Sequence, residues 1–349
     1  MSGAFQSLRL FGLDDFFLQS YQSLGLTGAT IGRVIRADVG GCRVMCEEGE
    51  IHAGLGPSLE TTPTTGDWVA IGPQGRGPHQ LVAVLERRTE IARASFRTLT
   101  EQVLAANVDS VMVVSSLSNK LRLRRIERLL VIAWQSGALP VVVLTKADVA
   151  DDVATALEAV AAIAPGASVH GVSAVTGEGM DGLSAELSPR TTTVMLGPSG
   201  TGKSTLANAL AGGERLMETG NVRSDGKGRH TTVTRELLKL ANGALLIDTP
   251  GLRAVGLVDD PDALGDAFSE IESLAELCRF NDCRHRTEPD CRVREAVADG
   301  ALSEERLDSY ERLRRDQARI AARNDARLRA ERAAEWRRLS RETRSRFVR

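Results

Sequence analysis

The segment Gly197-Pro-Ser-Gly-Thr-Gly-Lys-Ser204 decides the fold class of this chain. It matches the phosphate-loop pattern G-x-x-x-x-G-K-[ST], whose glycines let successive backbone N–H groups point at phosphate oxygens. A β-branched run over 191–196 precedes the loop, and a helical pattern begins near Lys203. The amino end of that helix adds the positive end of its dipole. A chance glycine loop is the alternative, but the flanking strand and helix patterns favour a nucleotide site.

Two side chains of the loop have predicted roles. Lys203 reaches the β- and γ-phosphates, and the Ser204 hydroxyl ligates Mg²⁺. The residues that we expect to contact the nucleotide phosphates are Gly197, Pro198, Ser199, Gly200, Thr201, Gly202, Lys203, Ser204 and Thr205.

A second phosphate element is Asp248-Thr-Pro-Gly251, which follows an apolar strand pattern over 244–247. A carboxylate at a strand end can hold Mg²⁺, usually through water. The Gly251 amide can meet the γ-phosphate. In isolation, D-x-x-G is more often a turn. Its position after a phosphate loop favours a nucleotide role, with Asp248 as a magnesium ligand.

The base is predicted from Thr145-Lys-Ala-Asp148, at the end of a strand pattern over 140–145. Asp148 could accept hydrogen bonds from guanine N1–H and the 2-amino group, and a carboxylate left unpaired would reject adenine. The usual motif begins with Asn, so Thr145 puts the contact to the base or the loop in question. The alternative role of Asp148 is the N-cap of a helical pattern over 151–163.

Three further residues complete the predicted base site. The Lys146 stem can lie against the ring, with Ala147 between it and Asp148. Ser173-Ala174 follows a strand pattern that ends near residue 172, and it offers a backbone N–H to the guanine oxygen.

The order of these motifs is unusual. Ordinary GTPases run from the phosphate loop through D-x-x-G to N-K-x-D and S-A. Here T-K-A-D and S-A come first, within a strand–helix series that starts near residue 108. Alternating strands and helices indicate a parallel sheet covered on both faces. A circular permutation of the chain explains the order, because it moves only the chain ends.

Short β-branched stretches broken by Gly and Pro precede this series, at 30–35, 41–46, 67–71 and 80–85. Such spacing favours a small antiparallel barrel. Cys42 and Cys46 lie in these stretches without a nearby His, so we expect them in the barrel core.

A cysteine cluster follows the strand–helix series, with the spacing Cys278-x₄-Cys283-x-His285-x₅-Cys291. Three thiolates and an imidazole fill all four positions of a structural Zn²⁺ site. Buried cysteines beside an incidental His are the alternative, but the intervening residues are too polar for a core.

These features together resemble the RsgA (YjeQ) family of small-ribosomal-subunit-dependent GTPases. The resemblance covers about residues 28 to 317 and rests on the barrel pattern, the permuted motifs, the segment Gly228-Arg-His-Thr-Thr-Val233 and the cysteine cluster. In that family G-R-H-T-T-T is the first switch, and here Val233 takes the last place. The family usually has Gly where Asp290 stands.

The resemblance implies an N-terminal OB-type β-barrel, a circularly permuted α/β P-loop GTPase domain and a C-terminal helical zinc-binding module. The predicted segments are an arm over 1–27, the barrel over 28–93, the GTPase domain over 94–257, the zinc domain over 258–320 and a basic tail over 321–349.

The resemblance also implies roles in the first switch. Either Thr231 or Thr232 senses Mg²⁺ and the γ-phosphate, with Thr232 included among the magnesium ligands, and His230 falls at the proposed catalytic histidine. Efficient GTPases often place Gln after D-x-x-G to orient water, whereas Leu252 stands here. Slow intrinsic hydrolysis follows, with His230 as candidate general base or water-orienter. A solvated loop His is the alternative. The predicted catalytic residues are Lys203, His230, Thr231 and Thr232.

Composition sets the remaining expectations. The 349 residues carry a net charge of −2, yet 14 Arg and 6 acidic residues lie between Glu311 and Arg349. This basic segment, which includes the tail over 321–349, is either a charged solvated helix or an RNA contact whose binding weakens with salt. No apolar run reaches the ~18 residues of a membrane helix, and the N-terminus lacks a secretory pattern. Five cysteines favour a reducing compartment. We expect a cytoplasmic monomer.

The predicted function is a GTPase that binds the small ribosomal subunit and its rRNA and couples hydrolysis to late subunit maturation. Its cofactors are GTP or GDP, Mg²⁺ and one structural Zn²⁺. Two alternatives stay open: a nucleotide-gated RNA-binding protein in which hydrolysis is incidental, and an ATPase.

Overall fold

The computed structural model describes residues 5–73, 77–93, 102–118, 120–198, 200–212, 235–248, 268–280 and 283–315. The chain divides into two compact units. The first comprises Met1–Ala92 with Val103–Val255, and the second comprises Arg93–Gln102 with Gly256–Arg349. Within the described ranges, no helix combines the length and apolar character needed to cross a bilayer.

The first unit begins with two helices, α1 (Gln6–Arg9) and α2 (Asp15–Ser23). The Asp14 carboxylate caps α2 by accepting a hydrogen bond from the Phe17 backbone N–H at 3.3 Å. Phe17 is buried and stacks against Trp68 with ring centroids 5.5 Å apart. The segment that the sequence suggested as an arm is therefore packed onto the barrel.

A five-stranded barrel follows these helices. Its strands close in the order β1-β2-β3-β5-β4, and β4 returns to β1. All pairs are antiparallel except β3 with β5. This arrangement confirms the OB-type barrel. The strands are β1 (Thr30–Asp38), β2 (Gly41–Cys46), β3 (Gly49–Leu55), β4 (Trp68–Ile71) and β5 (Gln80–Val84).

The barrel core comes from the alternation of apolar side chains along its strands. Val34, Val44 and Leu81 are fully buried there. Cys42 and Cys46 belong to the same core, as the sequence predicts.

The sheet formed by strands β8 to β13 is parallel except at one edge. Its strand order is β10-β9-β8-β11-β13-β12, and only β12 runs antiparallel. A separate hairpin, β6 (Glu90–Arg93) with β7 (Gln102–Ala106), leads from the barrel to this sheet. The strands of the sheet are β8 (Ser110–Ser116), β9 (Leu139–Thr145), β10 (Ser168–Val172), β11 (Thr192–Leu196), β12 (Glu236–Lys239) and β13 (Leu245–Asp248).

Helices alternate with these strands, so the central strands are buried on both faces. All five residues of β11 are buried. This pattern confirms the predicted α/β domain with permuted motif order. The helices are α3 (Leu123–Gln135), α4 (Val153–Ala161), α5 (Met180–Glu186) and α6 (Lys203–Leu210), with a 3₁₀ turn at Ala147–Val149.

The described part of the second unit is helical. Helices span Ser269–Ala275, Arg292–Ala298 and residues 304–315. Phe268 is fully buried between the Tyr310 ring, at 5.6 Å, and the Arg306 guanidinium, at 3.9 Å from its centroid. The predicted tail over 321–349 lies outside the described residues.

Candidate nucleotide site and metal centre

The guanine motif, the Ser-Ala dipeptide and the phosphate loop all follow the carboxyl ends of parallel strands. Thr145 at the end of β9 pairs with Val172 of β10 and with Ser116 of β8. Leu196, the last residue of β11, pairs with Val113 of β8. The motifs therefore meet at one edge of the sheet, which is where α/β proteins bind ligands.

Two glycines of the phosphate loop are required by its backbone. A Cβ on Gly197 would lie 2.3 Å from the Val114 carbonyl oxygen, so only glycine fits against β8. Gly202 has φ +87° at the N-cap of α6, a left-handed conformation that glycine adopts without penalty. The Thr201 hydroxyl donates to the Pro198 carbonyl oxygen at 2.9 Å and tightens the turn.

Lys203 lies over the loop. Its ammonium donates to the carbonyl oxygens of Gly197 and Pro198, each at 2.8 Å. The charge is thus held at the mouth of the loop, from which an ammonium can reach phosphate oxygens. Ser204 is half-buried and Thr205 is exposed in the first turn of α6.

Thr145 connects the base motif to the phosphate loop. Its side chain is buried, and Oγ1 lies 2.5 Å from the Thr201 carbonyl oxygen and 3.1 Å from that of Ser115. A hydroxyl has one proton, so the shorter contact to Thr201 is the stronger hydrogen bond. Thr145 therefore keeps a contact to the phosphate loop, although it replaces the Asn of the usual motif.

Lys146 makes a second connection between the two motifs. Its backbone has φ +61°, and its ammonium lies 3.3 Å from the Gly200 carbonyl oxygen and 3.3 Å from Ser118 Oγ. The stem therefore crosses from the base motif to the phosphate loop. One bound nucleotide can contact both motifs.

Asp148 lies in the 3₁₀ turn with an exposed side chain. The alternative role as a helix N-cap is wrong, because α4 begins at Val153 and Asp152 caps it. The Asp152 carboxylate accepts from the Thr155 N–H at 3.0 Å, and hydrogen bonds from Thr155 lower the pKa of this carboxyl. Asp148 is not used as a cap, so its carboxylate stays accessible at the carboxyl edge.

The Ser173-Ala174 loop is shaped by the Ser173 side chain. Ser173 is fully buried, and its hydroxyl oxygen accepts from the N–H groups of Val175 at 3.3 Å and Thr176 at 3.2 Å. The Gly177 N–H also donates to the Ser173 carbonyl oxygen at 2.9 Å. These bonds fix the turn directly after β10, next to the T-K-A-D motif.

The backbone of Asp248 ends β13 beside the phosphate loop. β13 runs parallel to β11, with Ile247 opposite Val194, so Asp248 lies at the same carboxyl edge. Several predicted site residues lie outside the described part of the chain: Ser199, His230, Thr231, Thr232 and Gly251.

The four predicted zinc ligands form one cluster in the second unit. Their ligand atoms all lie within 4.8 Å of one another. Cys278 Sγ lies 3.9 Å from Cys291 Sγ, and His285 Nδ1 lies 3.5 Å from Cys291 Sγ and 3.7 Å from Cys278 Sγ. Zn–S bonds of about 2.3 Å place tetrahedral sulfur ligands ~3.8 Å apart. The Cys₃His set therefore fits a tetrahedral zinc ion.

The environment of the cluster suits a metal. Burial lowers the pKa of His285 and favours the neutral imidazole that coordinates metals. Asp290 has φ +58°, a left-handed conformation that glycine adopts most easily, in line with the glycine that the resemblance implies at this position. Asp is one of the few other residues that tolerate this conformation.

Glu288 organises the turn between the ligands, and sequence reasoning missed it. Its carboxylate accepts from the N–H groups of Arg286 at 2.8 Å, Arg284 at 3.1 Å and Thr287 at 3.0 Å. Hydrogen bonds from Arg286 and its neighbours lower the pKa of Glu288 to about 2. The sequence signal that could have identified Glu288 is an acidic residue between closely spaced metal ligands.

Comparison with known proteins supports the resemblance to the RsgA family. The family model described as RsgA GTPase matches residues 84–258. A Streptomyces coelicolor protein named small ribosomal subunit biogenesis GTPase RsgA is 47% identical over 95% of this chain and 92% of its own length.

Two solved structures are also similar to this chain. YjeQ from Thermotoga maritima is similar with TM-score 0.63 and 28% identity, over 82% of this chain and 97% of that one. YloQ, described as a circularly permuted GTPase, is similar with TM-score 0.60 and 26% identity, over 85% and 96%. With a phosphate loop and a guanine motif joined at one sheet edge, this chain belongs to the RsgA GTPase family and is a GTP hydrolase.

Proposed function

We propose that this protein binds the small ribosomal subunit and couples GTP hydrolysis to late maturation of that subunit. The nucleotide part depends on one observation, the hydrogen bond between Thr145 and the phosphate loop. The subunit part is supported by the name of the Streptomyces coelicolor relative and its identity over 95% of the chain. Hydrolysis is slow in the free protein and faster on the subunit.

The proposed nucleotide contacts follow from the sheet edge. Asp148 and the Ser173-Ala174 loop recognise guanine, and the phosphate loop holds the phosphates. Ser204, Asp248 and one switch threonine, Thr231 or Thr232, would hold Mg²⁺. The ion supplies positive charge against the phosphate oxygens. Lys203, whose ammonium contacts the loop carbonyl oxygens of Gly197 and Pro198, would add a second positive charge.

His230 is the proposed water-orienting residue. Leu252 occupies the place after D-x-x-G where efficient GTPases often have Gln, and its side chain cannot hydrogen-bond water. His230→Ala should lower the single-turnover hydrolysis rate about 10²- to 10⁴-fold while leaving GDP affinity unchanged. Loss of GDP affinity without loss of the rate constant would contradict this role.

The Cys₃His cluster is proposed to hold one structural Zn²⁺. All four positions come from the protein, so the ion closes the site and ties the helices of the second unit together. Purified protein should contain about one zinc per chain. Cys291→Ser should lose the metal and lower the stability of the second unit, whereas Cys42→Ser in the barrel core should keep the metal.

The remaining proposals concern the domain boundaries, the oligomeric state, the RNA contact and the compartment. We propose the domain boundaries given above, a monomer, and RNA contact through the basic tail. The thiolate cluster and the free cysteines fit a reducing compartment, and we propose that the protein acts in the cytoplasm.

The decisive experiment measures single-turnover GTP hydrolysis with no ribosomal particles, with small subunits and with large subunits. Stimulation by small subunits alone is expected. Lys203→Ala serves as the inactive control. Binding of small subunits in the presence of a non-hydrolysable GTP analogue without any stimulation would instead favour a nucleotide-gated RNA-binding protein.

A further inference from the structure

A cavity of about 300 Å³ lies at the edge of the parallel sheet opposite to the nucleotide motifs. Asn107 and Asp109, which precede β8, line it together with Pro189, Arg190 and Thr191, which precede β11. Both strands therefore start at this cavity, whereas the nucleotide motifs follow the carboxyl ends of strands. β11 has five residues and spans roughly 16 Å at ~3.3 Å per residue, so this length separates the cavity from the phosphate loop.

Positive charge predominates in the walls of the cavity. Four arginines and two aspartates give the lining a formal net charge of +2: Arg9, Arg33, Arg88, Arg190, Asp14 and Asp109. Both carboxylates already have partners, because Asp14 accepts from the Arg88 guanidinium at 2.6 Å and Asp109 accepts from the Thr192 backbone N–H at 2.6 Å. Within the described ranges, no carboxylate forms an ion pair with Arg33 or Arg190.

Arg33, on barrel strand β1, is a buried cation held by neutral acceptors. Arg33 is 2% exposed. Its guanidinium donates to three carbonyl oxygens and one hydroxyl: those of Phe11, of Gly66 in the barrel loop 64–67, of Asn107 and of Thr192. A guanidinium has five N–H groups, and these contacts use four of them, which leaves one on Nη1. Buried charges in proteins are normally paired with an opposite charge, so an anion is the partner that this environment lacks.

The surroundings of Arg33 compensate its charge only in part. Burial lowers the pKa of Arg33 to about 10, although the charges of Asp109, Asp67 and Asp14 act in the opposite direction. The side chain therefore stays protonated at neutral pH. An anion beside Nη1 would supply the missing negative charge.

Backbone contacts bring Arg33 and Arg190 to the same part of the cavity. A Cβ on Gly12 would lie 2.9 Å from Arg33 Nη1 and 2.9 Å from the Arg190 carbonyl oxygen. The turn between α1 and α2 therefore touches both arginines at Gly12. The Arg190 side chain is exposed, and the described part of the chain offers it no ion pair. Arg190 is thus available to a ligand that also reaches Arg33.

The shape and charge of the cavity favour one chemical class of anion. A net charge of +2 matches a phosphomonoester, which carries about −1.5 to −2 near pH 7. A volume of about 300 Å³ lies at the lower end of small-ligand pockets, roughly 300–1,000 Å³, and leaves room for an organic group beside the phosphate. Leu13, Phe17 and Pro189 supply apolar wall for that group. Arginines on separate walls can each donate to a different oxygen of a tetrahedral phosphate.

We propose that this cavity is a second anion-binding site, which binds a small organic phosphomonoester through Arg33 and Arg190 while the nucleotide occupies the opposite edge of the sheet. The phosphate group accepts from Arg33 Nη1 and from the Arg190 guanidinium. The organic group packs against Leu13 and Phe17. The chemistry differs from that of the phosphate loop, because side-chain cations rather than backbone N–H groups hold the phosphate.

Isothermal titration calorimetry tests the site on the full chain saturated with GDP and Mg²⁺, so that the phosphate loop is occupied. Ribose 5-phosphate should bind with a dissociation constant on the order of 1 mM or lower, which a few charge-assisted hydrogen bonds support. Ribose, the uncharged control, should not bind, and inorganic phosphate should bind more weakly than ribose 5-phosphate. Absence of ribose 5-phosphate binding at ~10 mM would overturn the inference. Equal affinity for inorganic phosphate would overturn the assignment to a phosphomonoester.

Variants of Arg190 locate the bound anion. Arg190 has φ +70°, and Arg190→Ala keeps a Cβ there, so the backbone cost is unchanged. Arg190→Ala should weaken ribose 5-phosphate binding about two- to fivefold, the range of an exposed ion pair, and Arg190→Lys should recover part of the loss. Arg36→Ala is the matched control, because Arg36 also lies on β1 but pairs with Asp38 at 2.9 Å and does not line the cavity.

Two further outcomes decide against the site. Equal ribose 5-phosphate affinity in Arg190→Ala and in the wild type, or an equal loss in Arg36→Ala, would overturn the inference. Binding that falls as the GDP concentration is raised would place the anion in the phosphate loop and overturn it as well. GDP affinity and thermal unfolding temperature, measured in parallel, should be unchanged in the Arg190 variants. None of these outcomes affects the proposed function, since hydrolysis and ribosomal subunits do not enter the test.

Discussion

Removing the Thr145 hydroxyl should weaken nucleotide binding even though this residue belongs to the base motif. Thr145→Val keeps the shape of the side chain but leaves the Thr201 carbonyl without its partner at 2.5 Å. Thr145 is 3% exposed, so water does not readily replace the hydroxyl. Losing a buried hydrogen-bond partner costs about 1–3 kcal/mol. Only the part of this cost that falls on the phosphate-binding conformation of the loop weakens nucleotide binding, so the GDP dissociation constant should rise by up to roughly 150-fold.

Equilibrium titration with a fluorescent GDP analogue measures this change, with guanosine as a competitor that lacks phosphates. Since Thr145 holds the phosphate loop, we expect Thr145→Val to lose more affinity for GDP than for guanosine. Thr145→Ser keeps the hydroxyl and should bind GDP nearly as the wild type does. Equal GDP affinity in all three proteins, at unchanged thermal stability, would refute the proposed role of this hydrogen bond.

Three further predictions concern stability, each measured by urea unfolding of the full chain. Gly66→Ala should cost at least about 1–2 kcal/mol from its backbone alone, because Gly66 has φ +96°, and a Cβ there would lie 2.1 Å from the Ala106 carbonyl oxygen; unchanged stability would show that the barrel loop is not tightly packed. Arg87→Met should cost about 3–5 kcal/mol by leaving Asp67 as a buried charge, since Asp67 is fully buried and accepts from Arg87 at 2.8 Å and 2.9 Å. Burial raises the pKa of Asp67 despite the neighbouring Arg87, so protonation of Asp67 stabilises the folded state as the pH falls through this raised pKa. The free-energy cost of Arg87→Met should therefore become smaller at acidic pH. A cost that becomes larger at acidic pH would contradict this explanation. Asp290→Gly should match or exceed wild-type stability, because it relieves φ +58° and loses only an exposed ion pair, whereas Asp290→Val should cost about 1–2 kcal/mol; the reverse order would contradict the backbone explanation.

Local patterns in the sequence predict much of this fold. The phosphate loop, the alternating strands and helices and the Cys₃His spacing each depend on residues close together in the chain. The Cys42 and Cys46 side chains also lie in the barrel core where the strand pattern places them. Such patterns can be predicted from the sequence because the backbone geometry of helices and strands repeats over a few residues.

Contacts between distant segments could not be predicted. The Thr145 hydroxyl meets a carbonyl 56 residues away, and Arg43 meets a carboxylate 193 residues away. Nothing in either local sequence specifies these partners. The N-cap of the helix that follows Asp148 could not be predicted either. Several acidic residues lie close together in this part of the sequence, and the structure shows that Asp152 is the cap.

Asp148 and the phosphate loop are proposed to bind one guanine nucleotide. The most direct measurement is a competition titration of GDP, XDP and ADP on the wild type and on Asp148→Asn, with Lys203→Ala as the control for phosphate binding. The wild type should prefer GDP, Asp148→Asn should prefer XDP, and Lys203→Ala should weaken the binding of all three nucleotides. An unchanged preference in Asp148→Asn, or ADP binding as tightly as GDP, would contradict this proposal.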